Sequence, residues 1–164
     1  MSVENETRVL IEEINKTRAV LDRINRHYRE FLETDFPGLG KKNASAVVIA
    51  DTLVNTYTCM ETVFLRISQF FENDLHRKKW YADLLHKMTL QIEGIRRAVI
   101  SEKVHAILTE LLKFRHFKRY YFNVEYDWDR IEYLQKKYEQ VLPLVEYDLD
   151  RFTTFLRELT GASR

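Results

Sequence analysis

A chain of 164 residues with 45% hydrophobic side chains can bury one good core, while four glycines and two prolines are too few for the many tight turns of a β-sandwich or barrel. Charged residues make up 31% and balance to a net +1, so no global field draws in nucleic acid, and any polyanion site must be a local patch. Cys59 is the only cysteine, which excludes an internal disulfide and a cysteine-cluster metal site and fits a reducing cytoplasm. The start, MSVENETRVLIEEINK, lacks the basic residues and apolar block of a signal peptide. No apolar run approaches the ~20 residues that span a bilayer. The expectation is a cytoplasmic all-α protein without membrane contact, an up-and-down helical bundle of about five helices in a single domain over residues 1–164.

The first run places Leu10, Ile14, Thr17, Leu21, Ile24, Tyr28 and Phe31 at steps of four and three, a long helix with one buried stripe. Its outer face, from Glu12 and Lys16 to Arg26 and Arg29, reads as solvated charge. The segment Thr34–Gly40 contains Pro37 and two glycines and reads as a loop. Asn43 or Ser45 can cap a second helix with Val47, Ala50, Leu53, Val54, Tyr57, Met60, Phe64, Ile67 and Phe71 inward. Val48, Ile49, Val63 and Phe70 crowd both sides of that stripe, so this helix should be central. Its polar exceptions, Asp51, Asn55, Glu61 and Arg66, belong in satisfied buried hydrogen bonds or at a subunit contact.

A shorter basic helix is expected from Asp74, its cap, to Met88, with Leu75, Trp80, Leu84 and Met88 inward. The cluster His76-Arg-Lys-Lys79 on its outer side reads as wet surface rather than a phosphate contact. Gly94 weakens the link to the next helix, which Ser101 caps and Val104, Ile107, Leu108, Leu111, Leu112 and Phe114 anchor. After a break at Asn123 and Asp127, a last helix carries Ile131, Leu134, Tyr138, Leu142, Val145, Leu149, Phe152, Leu156 and Leu159. Pro143 should kink or split it, and Gly161 should end it.

The stretch with a chemical proposal in it is Phe114–Asp129, FRHFKRYYFNVEYDWD. Arg115, His116, Lys118 and Arg119 alternate there with aromatic rings, and guanidinium groups bind phosphate oxygens while rings stack on bases. The plainer reading makes Phe114, Phe117 and Tyr121 a core stripe with the cations on the wet side of one helix. No phosphate-binding glycine loop, zinc-protease motif or nucleophile elbow appears. His27, His76, His86 and His105 are scattered singly and suit surface or packing roles.

This stretch resembles the corresponding segment of the HepT-like proteins, toxins of the HEPN superfamily that partner small nucleotidyltransferases. The order of ADTLVNTYTCMETVFLRIS, KKWYADLLHKM and ELLKFRHF is similar as well, from about Val47 to Leu159. The resemblance implies a helical bundle that dimerises, with the motif helices of both subunits on one cleft, a minimal nucleotidyltransferase antitoxin as partner, and RNA cleavage that needs neither metal nor cofactor. The family motif is an arginine, several residues, a histidine, and a tyrosine two positions on that the partner modifies with nucleotides.

Laid on this chain, Arg115 matches the arginine, Tyr120 stands at the histidine position and Phe122 at that of the modified tyrosine. A phenol is a poor base near neutral pH but can donate a hydrogen bond, and phenylalanine has no hydroxyl to modify. His116 is then the substitute proton carrier, although consecutive helical residues point about 100° apart. Arg115 and Arg119, four apart, form the better phosphate clamp. Lys118 and Tyr121 complete the expected RNA-binding set. A module that binds a nucleotidyltransferase or nucleic acid without cutting is the alternative, and a plain scaffold, with Arg115 and Arg119 paired across the bundle, is a third.

Overall fold

A computed structural model of the chain describes residues 2–72, 80–121 and 125–161, without the side chains of Trp80 and Tyr121. Six helices and no strand occur among them: α1 (Val3–Thr34), α2 (Phe36–Leu39), α3 (Asn43–Glu72), α4 (Trp80–Lys87), α5 (Glu102–Tyr121) and α6 (Trp128–Leu159). The fold is an all-α bundle. None of these helices is long and apolar enough to cross a membrane.

Ser2 caps α1 by accepting the Asn5 N–H at 3.3 Å. The helix buries Leu10, Ile14, Leu21, Tyr28 and Phe31 as its periodicity predicts, with Thr17 and Ile24 half-buried. The expected loop at 34–40 instead contains the four-residue α2. Pro37 lies in its first turn, where no backbone donor is needed, and Gly40 at φ 67° ends it. Phe36 then sets its ring against Phe31 and Trp128, at 6.2 and 6.1 Å between centroids.

α3 is the central helix and packs on α1, α4, α5 and α6. Ala50, Leu53, Tyr57, Met60, Phe64 and Ile67 of its expected stripe are buried and Val54 and Phe71 half-buried, and only the start of the stripe differs. Ile49 is fully buried, whereas Val47 is 43% exposed. Ile49, one of the residues that crowd the stripe, takes the buried place there, as a helix apolar on several sides allows. Leu84 and Met88 of α4 are buried as expected. The Asp74 cap, Leu75 and the His76–Lys79 cluster lie outside the described residues.

Ser101 accepts the Val104 N–H at 3.3 Å and so caps α5, while its own N–H donates to Asp148 Oδ2 at 2.7 Å. That contact ties the start of α5 to α6. Asp127 caps α6 through the Asp129 N–H at 3.0 Å. α6 runs through Pro143 as one helix from Trp128 to Leu159 and is not split. Pro143 is exposed, so its missing donor falls on the solvent side, while Val141 and Val145 around it hold the helix against the core. Leu142 is only half-buried and Leu159 is 54% exposed, so the stripe uses Val141 in their stead. Gly161, at φ 66°, terminates the helix with its N–H on the Glu158 carbonyl at 3.2 Å.

Candidate functional site on the basic face of α5

The face that α5 turns toward α3 brings charge together with rings. Phe114 is buried, so that part of the core-stripe reading holds. Arg115 does not point to the wet side. Its guanidinium crosses to α3, where Nη1–H donates to Glu61 Oε1 at 3.0 Å and to Thr58 Oγ1 at 3.2 Å, and Nη2–H donates to Glu61 Oε2 at 2.7 Å. Both side chains of the pair are 14% exposed. The guanidinium carbon also lies over two rings, at 4.6 Å from the Tyr57 centroid and 5.2 Å from that of Tyr81. A two-point carboxylate fork plus ring faces fixes both the plane and the position of the charge. Nε–H and the second Nη2–H have no acceptor among the described residues.

This environment acts on Tyr57 in turn. Burial, followed by the negative charge of Glu61, pushes its phenol well above the ordinary value, and the Arg115 charge offsets this in part. Tyr57 therefore stays a neutral wall of the site.

The other expected residues are placed one by one along α5. Lys118 is half-buried and reaches Asp51 of α3 at 3.9 Å. Arg119 is exposed and makes no hydrogen bond or ion pair with a described residue, so its setting differs from that of Arg115 four positions earlier. His116 is exposed, with its ring 4.4 Å from that of Tyr120, which is 59% exposed. The side chain of Tyr121 and the whole of Phe122 fall outside the described residues. Phe117 is half-buried beneath the Arg130 guanidinium at 5.0 Å.

The structure thus joins Arg115 to Glu61 between α5 and α3, and His116 to Tyr120 along α5. Glu61, Thr58, Tyr57 and Tyr81 enter the site from outside the quoted stretch. Glu61 was readable as a polar exception on a crowded helix, but its partner was not. Arg115 is 54 positions away in the chain, and periodicity carries no information on such pairs.

Chemically, Arg115 offers a fixed positive charge with open N–H groups, and the His116–Tyr120 pair offers a proton carrier and a hydrogen-bond donor. Among the described residues no group of three or more His, Cys, Asp or Glu could hold a metal ion. No curated protein and no solved structure matches the chain. Residues 48–156, which include α5, its basic face and all of α4, match the family described as HepT-like protein. By that match, over well more than half its length, the chain belongs to the HepT-like protein family.

Proposed function

We propose that this chain is the RNA-acting toxin of a pair whose other member is a minimal nucleotidyltransferase antitoxin, and that it works in the cytoplasm as a homodimer cleaving RNA without metal or cofactor. The observation that supports this best is Arg115, a guanidinium held by Glu61 and two tyrosine rings with N–H groups left open, inside the segment that resembles the family motif. In such a reaction the ribose 2'-hydroxyl attacks the adjacent phosphorus and the 5' oxygen leaves, giving a 2',3'-cyclic phosphate and a 5'-hydroxyl. Arg115 neutralises charge building on the non-bridging oxygens. His116 takes the 2'-hydroxyl proton, and Tyr120 donates to the leaving oxygen. Lys118 and Arg119 hold flanking phosphates while Tyr121 stacks on a base.

The test is cleavage of a mixed RNA pool by the purified chain in excess chelator, alongside growth inhibition on expression. Arg115→Ala should lower the rate by about 10²- to 10³-fold, the usual effect of deleting one transition-state charge donor. His116→Ala should lower it by about 10²-fold or more. Cleavage that needs added metal, or that is unchanged in Arg115→Ala, overturns the reading.

A second reading is favoured by the closed fork between Arg115 and Glu61 together with tyrosine at position 120. Here the chain binds the nucleotidyltransferase or nucleic acid without cutting. No cleavage by the parent, with partner binding retained, selects it.

A further inference from the structure

A second cationic cavity lies at the other end of α5 from Arg115. It has a volume of about 370 Å³, sits between the α4–α5 connection and the last part of α6, and is lined by Gln91, Arg97, Ala98, Arg151 and Phe152. Ser101, at the start of α5, is bonded to Asp148 one turn before Arg151. Arg115 lies roughly 20 Å further along that helix.

One face of α6 organises the cations. Asp148, Arg151, Phe155 and Glu158 follow at steps of three and four, which aligns them on one side of the helix. The Arg97 guanidinium carbon lies over the Phe155 ring at 5.6 Å, and its Nη2 is 3.8 Å from Glu158. Arg151 Nη2 is likewise 3.8 Å from Asp148. Both carboxylates thus stand beyond hydrogen-bond reach, and neither guanidinium donates a hydrogen bond to a described residue. The Ala98 N–H also has no acceptor among the described residues.

The opposite wall is pinned from beneath. Buried Arg96 donates to the carbonyls of Leu90 and Arg97, which adjoin Gln91 and Ala98 in the chain. The Met88 carbonyl accepts the Val99 N–H at 2.8 Å. A wall fixed in this way spares a ligand the cost of ordering it.

We infer that this cavity binds a small phosphate monoester of the size of a nucleoside monophosphate. Donor number selects the phosphate. Two guanidinium forks, the Gln91 amide and the Ala98 N–H offer more donors than the two oxygens of a carboxylate can use, and they suit the three terminal oxygens of a phosphate monoester. The volume is at the small end of ligand cavities and leaves room for a ring-sized group beside the phosphate, with buried Phe152 as an apolar wall. A nucleic-acid strand is disfavoured, because its successive phosphates need a track of cations, whereas Asp148 and Glu158 flank the two arginines. The inference goes beyond the RNA reading and does not depend on it.

The experiment is isothermal titration calorimetry of the full chain with AMP as probe, and with adenosine and inorganic phosphate beside it. AMP should bind with a dissociation constant below about 1 mM, adenosine should not bind, and inorganic phosphate should bind about tenfold or more weakly than AMP. Arg97→Ala and Arg151→Ala should each weaken AMP binding by about tenfold or more, and Arg97→Lys should restore only part of the loss, since an ammonium lacks the planar fork. Lys118→Ala and Arg119→Ala should leave the AMP affinity unchanged, which separates this cavity from the basic face of α5. Circular dichroism checks that the variants stay folded. No AMP binding by the parent, adenosine or inorganic phosphate as tight as AMP, or an AMP affinity indifferent to Arg97→Ala and Arg151→Ala overturns the inference. Displacement of AMP by a single-stranded RNA with a 5'-hydroxyl end overturns it too, since the cavity would then hold a polymer.

Discussion

Arg96 ties the connection between α4 and α5 to Glu72 at the end of α3. It is 2% exposed, and its guanidinium donates to Glu72 Oε1 from both Nε and Nη2, to the carbonyls of Leu90 and Arg97 from Nη1, and to that of Lys87 from Nη2. Removing one partner of such a pair leaves the other charge and several carbonyls unpaired away from water. Arg96→Met should therefore cost about 3–5 kcal/mol of stability in urea denaturation; a loss below about 1 kcal/mol would show that the network is replaceable. Nothing in QIEGIRRAVI separates Arg96 from Arg97, whose side chain is 60% exposed. The distinction comes from Glu72, 24 positions upstream. Glu61 and Arg115 were illegible as a pair for the same reason, since the contact depends on how α3 and α5 meet. What the sequence did carry at this scale was residue type, namely cations among rings on α5 and one carboxylate on the crowded side of α3.

Elements were legible where hydrophobicity is one-sided. α1 and α6 each show a single stripe, and Leu10, Ile14, Tyr28, Leu134, Tyr138 and Leu149 are buried as that stripe requires. α3 is apolar on several sides, yet its stripe through Ala50, Leu53, Tyr57, Met60, Phe64 and Ile67 is buried as read, and only its first member, Val47, is exposed. Pro143 shows the opposite case, a strong local signal outweighed by packing. Its ring removes one backbone bond within α6, but burial of Val141 and Val145 on the far side keeps the helix in one piece. Because Pro143 is exposed, Pro143→Ala should restore that donor without opening a cavity and raise stability by about 1–3 kcal/mol, read as a higher Tm. An unchanged or lower Tm would mean that the neighbouring turn has adjusted to the ring and gains nothing from the N–H.

Across the whole molecule α1, α3 and α6 are joined by buried phenols. Tyr28 donates to Glu139 at 2.9 Å and accepts from Gln135 at 3.1 Å, Tyr138 donates to Asn25 at 3.2 Å, and the two rings meet edge to face at 4.9 Å. Burial pushes the Tyr138 phenol up to about 12, and raises Tyr28 and Tyr57 further. A phenol held above its ordinary value of 10.0 gives stability that is fully present below pH 10 and lost as pH rises through 12. Thermal melts from pH 8 to 12 should therefore stay level to about pH 10 and fall steeply beyond it, and Tyr138→Phe should make that fall shallower. α1 contributes Tyr28 and Asn25 to this network and packs along α3, yet it lies wholly outside residues 48–156. The stretch by which kinship is traced and the stretch that must fold together are thus different lengths of chain: a fragment trimmed to the shared segment would inherit the motif helix but lose the helix that shelters its tyrosines from water.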